Sequence, residues 1–134
     1  MGKSNQVKKS GFLQMCADRR FHSQVEEMFR EATGLSETDY WIEATAGGSP
    51  AIEDPKTANY AHSHGARIMG WAAHGSNCGG YPEVGDEDMR KKLGSVVEQR
   101  QTRYPAATHF KIFSTESNKG EPQTTIEKVS DGQK

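Results

Sequence analysis

Two cysteines occur in this 134-residue chain, and each sits among other residues able to do chemistry. The first lies in Met15-Cys16-Ala17-Asp18-Arg19-Arg20 and the second in Ala73-His74-Gly75-Ser76-Asn77-Cys78-Gly79-Gly80. Thiolate sulfur suits zinc, and two cysteines with one histidine make a three-ligand centre whose fourth tetrahedral position is open to water. Bound zinc brings the pKa of water from about 15.7 towards about 7, so hydroxide becomes available at neutral pH. Cys16, His74 and Cys78 are therefore the candidate metal ligands, and Zn2+ the candidate cofactor.

Asp18 and Arg20 stand at alternate positions after Cys16, so in extended backbone their side chains start on the same side as the thiol. A guanidinium held against the carboxylate keeps Asp18 ionised and fixes its orientation. Asp18 could then accept a proton from metal-bound water, or itself take the fourth metal position; the two roles exclude each other at any moment. The plain alternatives are two buried apolar thiols and a surface ion pair. The position of Asp18 and Arg20 directly after an apolar run favours a site. Of the other histidines, His62 and His64 lie two apart on an expected helix and cannot share a face. His22 stands near a helix start, and His109 precedes an expected strand without an identifiable partner.

These residues need elements to position them. Gly11–Cys16 is a short apolar run of the kind that makes a buried strand. Ser23 then caps an expected helix with Val25, Met28, Phe29 and Ala32 on its apolar face, Glu26 and Glu27 in its first turn and Gly34 at its end. Tyr40–Ala44 reads as a second strand, turning at Ala46-Gly47-Gly48-Ser49-Pro50. Pro55 opens a helix that ends near Gly65. Arg67–Ala73 reads as a third strand leading into the His74–Gly80 loop, Asp86 as the cap of a helix running to Arg103, and His109–Phe113 as a fourth strand. Strands alternating with helices imply a mostly parallel wound α/β sheet of about four strands flanked by helices. Ligands gather at the carboxyl ends of such strands, where Cys16 and the His74–Cys78 loop fall.

Cys16-x-Asp18-x-Arg20, followed by a histidine and then a cysteine preceding Gly79-Gly80, resembles the β-class carbonic anhydrases. The resemblance spans Phe12 to Phe113. It implies a β-carbonic-anhydrase-like α/β fold, a tight dimer, and zinc-dependent reversible hydration of carbon dioxide to bicarbonate by a metal-bound hydroxide. By position it implies Cys16, His74 and Cys78 as zinc ligands and Asp18 with Arg20 as the catalytic dyad. Ala46-Gly47 looks like the family's turn after the second strand, and with Gly79 it is the candidate lining of the substrate pocket. The family spacing is His-x-x-Cys, whereas three residues separate His74 from Cys78 and Gly75 occupies the expected histidine position. A bulge at Gly75 is expected to restore the geometry, with His22, His62 or His64 as alternative ligands. Two other functions fit the same motifs: zinc hydrolysis of carbonyl sulfide or carbon disulfide, and a carbonic-anhydrase-like binding or regulatory protein without turnover.

Composition narrows the rest. Seventeen basic against eighteen acidic residues give no field for holding nucleic acid or an anionic membrane. No stretch approaches the roughly 20 apolar residues of a membrane span, and the polar Met1–Ser10 start is unlike a signal peptide. A cytoplasmic protein is expected. The apolar share of 33% is low for a self-sufficient core, so a homodimer or higher homo-oligomer is expected to complete it. The expected organisation is a flexible leader over 1–10, an α/β zinc-binding domain over 11–114, and a polar turn with a candidate edge strand at Thr124–Val129 and a frayed tail from Ser130 over 115–134.

Overall fold

The first strand, β1 (Gly11–Cys16), is buried at all six positions, as befits a strand covered on both faces. The computed structural model describes residues 9–132. After β1 the chain forms α1 (His22–Thr33), β2 (Tyr40–Thr45), a 3-10 turn at Ser49–Ala51, α2 (Lys56–Ser63), β3 (Ile68–His74), α3 (Asp86–Arg103), β4 (Thr108–Glu116) and β5 (Pro122–Ser130). The sheet order is β2-β1-β3-β4-β5, with the first four strands parallel and β5 antiparallel to β4. The wound parallel sheet is thus present with one strand more than the four expected.

Successive side chains of a strand point to opposite faces, and the core divides accordingly. Phe12, Cys16, Trp71 and Ala73 face α2 and α3, whereas Leu13, Met15 and Ala72 face α1 through Val25 and Phe29. Each large apolar side chain so buried contributes about 1.5–3 kcal/mol. The Trp71 indole N–H donates to His109 Nδ1 at 2.9 Å, and His109 Nε2 reaches the Tyr104 carbonyl at 2.9 Å. One ring nitrogen accepts and the other donates, so His109 is a neutral, satisfied core histidine.

Several boundaries differ from the sequence reading. Helix α1 starts at His22 with Phe21 rather than Ser23 at its cap, which leaves Glu26 and Glu27 beyond the first turn. The ring of Phe21 is drawn into the core, and this sets the helix start. Gly34 ends the helix in the left-handed conformation expected of it. Gly85, not Asp86, caps α3, because the Asp86 carboxylate is engaged elsewhere. Strand β4 runs on to Glu116, held by β5 along its whole outer side.

Thr124–Val129 lies within β5 and pairs inside this chain. Ser130 belongs to that strand and the Gly132 N–H donates to Thr108 Oγ1, so the chain is tied down through Gly132. The leader expected over 1–10 falls outside the described residues up to residue 8, and the Ser10 carbonyl already accepts the Arg67 N–H. The last two residues of the expected tail also lie outside. Among the described residues no helix is long and apolar enough to cross a membrane.

From β1 the chain winds through α1 to β2 on one side, and from β3 it winds through α3 to β4 on the other. The winding therefore reverses between β1 and β3, and the crevice at their carboxyl ends is where a parallel sheet receives its ligands. Cys16 ends β1 and His74 ends β3.

Candidate metal centre

Two adjacent central strands deliver two of the chemical groups, and the loop after β3 delivers the third. The ligand atoms of Cys16, His74 and Cys78 all lie within 4.8 Å of one another, and all three residues are buried. His74 Nε2 is 3.1 Å from Cys16 Sγ. His74 Nδ1 is 2.7 Å from the Gly75 carbonyl, which can only accept, so Nδ1 carries a proton and Nε2 is the ring nitrogen that faces the sulfurs. His22, His62 and His64 are not in the group; the His62 ring packs on Tyr104 and His64 on Tyr60.

Burial pushes the Cys16 thiol up, but hydrogen bonds from His74 and from the backbone N–H groups of Asp18 and Gly47 outweigh it and bring its pKa down to about 7. For Cys78, burial and the neighbouring Cys16 sulfur push the thiol up. Burial alone would lower His74, but its contacts with Cys16, Gly75 and Asp18 raise it instead. The contact between them thus lowers the Cys16 thiol and raises the His74 imidazole. Two sulfurs and one oriented imidazole, with backbone N–H groups directed at both sulfurs, are a donor set suited to a metal ion. This buried group could bind one.

Asp18 stands directly beside it, with Oδ2 3.5 Å from His74 Nε2. Arg20 clasps the carboxylate through Nε at 3.0 and 3.1 Å and Nη2 at 2.8 Å, and the Arg20 N–H adds a bond at 2.8 Å. These bonds hold Asp18 near pKa 2 despite some burial. Nη1 of the same guanidinium donates to Glu116 Oε1 at 2.7 Å and to the Ser76 carbonyl at 3.0 Å, and the Nη2 that holds Asp18 also reaches the Asn77 carbonyl at 3.2 Å.

The spacing problem is solved within the loop, though not at Gly75. Ser76 and Asn77 take left-handed φ values of 52° and 65°, and these two residues turn the chain between His74 and Cys78. Gly75 is needed for a different reason: a Cβ there would stand 2.1 Å from Asp86 Oδ1.

The turn after β2 closes over the centre. Gly48 lies so near β3 that a Cβ would come within 2.5 Å of the Ala72 carbonyl oxygen, and one on Gly80 would come within 2.4 Å of the Gly47 nitrogen. Gly47 is buried beside Cys16, whereas Ala46 and Gly79 are exposed. On the α1 side a void of about 10 Å³ is lined by Met15, Cys16, Phe21, Ala72 and His74 among others. The Phe21 ring leans on the His74 imidazole with centroids 4.7 Å apart. A larger cavity of about 300 Å³, lined by Ser10, Tyr40 and Trp41, lies at the opposite strand ends, away from this chemistry.

Comparisons with protein-family models, curated proteins and solved structures returned no match. What the centre can do is therefore read from its own donor atoms. Sequence reasoning did not find Glu116 or Asp86. Asp86 carries a signal that points elsewhere, since an acid before a helix reads as its cap. Glu116 carries none, because it lies more than ninety residues from its partner Arg20.

Proposed function

We propose that this chain is a zinc-dependent hydratase that interconverts carbon dioxide and bicarbonate. The observation that carries the reading is the junction of two elements: the buried Cys16, His74 and Cys78 group, and the Asp18–Arg20 pair 3.5 Å from its imidazole. Cys16, His74 and Cys78 would hold the ion, and the ion supplies a Lewis acid that makes water acidic near neutral pH.

The chain's own residues do the rest. Arg20 keeps Asp18 ionised and oriented, so Asp18 is ready to accept a hydrogen bond at the open side of the centre. The Gly75 carbonyl fixes the imidazole tautomer, and the backbone N–H groups of Asp18 and Gly47 hold the Cys16 sulfur. Met15, Phe21 and Ala72 give the centre an apolar wall on its α1 side.

The test is metal analysis of protein purified without chelators, with stopped-flow carbon dioxide hydration of the wild type, Cys78→Ala and Asp18→Ala. One zinc per chain and hydration that both substitutions abolish is the expected result. A wild type without bound metal sinks the reading. Zinc without hydration moves the reading to carbonyl sulfide or carbon disulfide, assayed by sulfide release, or to a binding protein if none appears.

A further inference from the structure

The loop from His74 to Cys78 has one residue more than the spacing of the family it resembles, and its two left-handed residues, Ser76 and Asn77, are not glycines. Such a conformation persists only where neighbours over-determine it. Here the neighbours are specific. The Gly75 N–H donates to the Ser114 carbonyl at 2.9 Å, fixing the loop's start to β4. The Ser76 N–H donates to Asp86 Oδ1 at 2.7 Å. The Ser76 and Asn77 carbonyls both accept from Arg20, whose Nη1 is also held by Glu116 at 2.7 Å. Ser76 Oγ in turn accepts the Glu116 N–H at 2.9 Å.

We infer that Asp86 and Glu116 are positioning residues that hold the longer His74–Cys78 loop in the one shape that lets Cys78 join His74 and Cys16. This rests on the metal-centre reading above. Asp86 acts from the N-terminal end of α3, pressed against the bare face of Gly75, and fixes the loop from one side. Glu116 acts from the far end of β4 through Arg20 and fixes it from the other. Neither touches the ligand atoms. The loop and the Asp18–Arg20 dyad consequently share one guanidinium, so a change in either is felt by the other.

The test is cobalt(II) titration of the full chain, read by thiolate-to-cobalt and ligand-field absorption rather than by turnover. Asp86 is exposed, so its replacement leaves the core intact, which circular dichroism of the metal-free protein checks. Asp86→Ala is expected to weaken cobalt affinity by about tenfold or more and to alter the ligand-field bands, as loss of an outer partner does. Asp86→Asn keeps an oxygen acceptor for the Ser76 N–H and is expected to bind within about threefold of wild type. Glu116→Ala is expected to weaken binding in the same direction and Glu116→Gln to restore most of it, and this pair carries the test should Asp86→Ala not fold.

Wild-type affinity and an unchanged spectrum in both alanine variants would overturn the positioning role while leaving the metal centre standing. A wild type that takes up no cobalt would overturn the metal centre and this role together.

Discussion

His74 Nε2 lies 3.1 Å from Cys16 Sγ, at the ends of two strands that are neighbours in the sheet although 58 residues separate them in the chain. In the metal-free protein this contact joins a lowered thiol to a raised imidazole. Cys16 has a folded pKa of about 7 against 9.0, so its ionisation contributes stability that is present above pH 9.0 and lost as pH falls through about 7. His74 is raised above 6.5, so its contribution is complete below that pH and is lost as pH rises through the folded value. In metal-free Cys78→Ser protein, thiolate ultraviolet absorbance is expected to titrate near 7. Adding His74→Ala should move it upward, because burial is then less opposed. An unmoved titration would show that His74 does not govern Cys16.

Asp18 gives the opposite end of the pH scale. The Arg20 hydrogen bonds hold its carboxyl at about 2 against 3.8, so its contribution to stability is present above 3.8 and lost as pH falls towards 2. Carboxyl carbon NMR should record this value in the wild type and a return towards 3.8 in Arg20→Gln. Arg20→Lys should recover the charge but not the two-pronged geometry, and so restore Asp18 only in part.

Zinc should stabilise the wild type by about 2.7 kcal/mol at a hundredfold excess over Kd, seen as a melting temperature that climbs with the logarithm of zinc concentration. His74→Ala and Cys78→Ala should lose that response, because each removes one of three donors. Asp18→Asn should keep the metal response while hydration falls on the order of 10²–10³-fold, the usual worth of one oriented hydrogen-bonding group in a reaction site. A variant at Asp18 that releases the metal would make the carboxylate a ligand instead.

Gly48→Ala tests the cover of the centre without touching a ligand. Its φ of 65° and ψ of −152° belong to a region that side chains avoid, and the added Cβ would meet the Ala72 carbonyl oxygen at 2.5 Å. Destabilisation of about 2–4 kcal/mol is expected in thermal melts. Gly94→Ala, within α3 and with open space around it, should instead stabilise the protein by up to about 1 kcal/mol.

The fold was legible where periodicity was strong. Gly11–Cys16, the apolar positions of α1 and the strand before His74 announce themselves by composition, and the wound order follows from their alternation. The fifth strand was legible as an edge candidate at Thr124–Val129, but not as the element that lengthens β4 to Glu116. The candidate ligands Cys16, His74 and Cys78 stood out because their side chains have few other uses together. Asp86 and Glu116 did not, because their partners Ser76 and Arg20 are met only after the chain has folded, and exposed acids are common. The loop defeated a local reading for a related reason: glycine was the obvious place for a left-handed residue, yet a carboxylate packed on Gly75 moved that conformation on to Ser76 and Asn77.

Cys16 and His74 end two neighbouring interior strands of the sheet, whereas Cys78 sits on a loop. The strands open last and the loop opens first. Any ion held here would therefore be shed in a fixed order, Cys78 letting go while the other two donors stay in place. Its residence time would be set by how often the loop beyond His74 lifts, and exchange with a competing chelator could proceed without the protein ever unfolding.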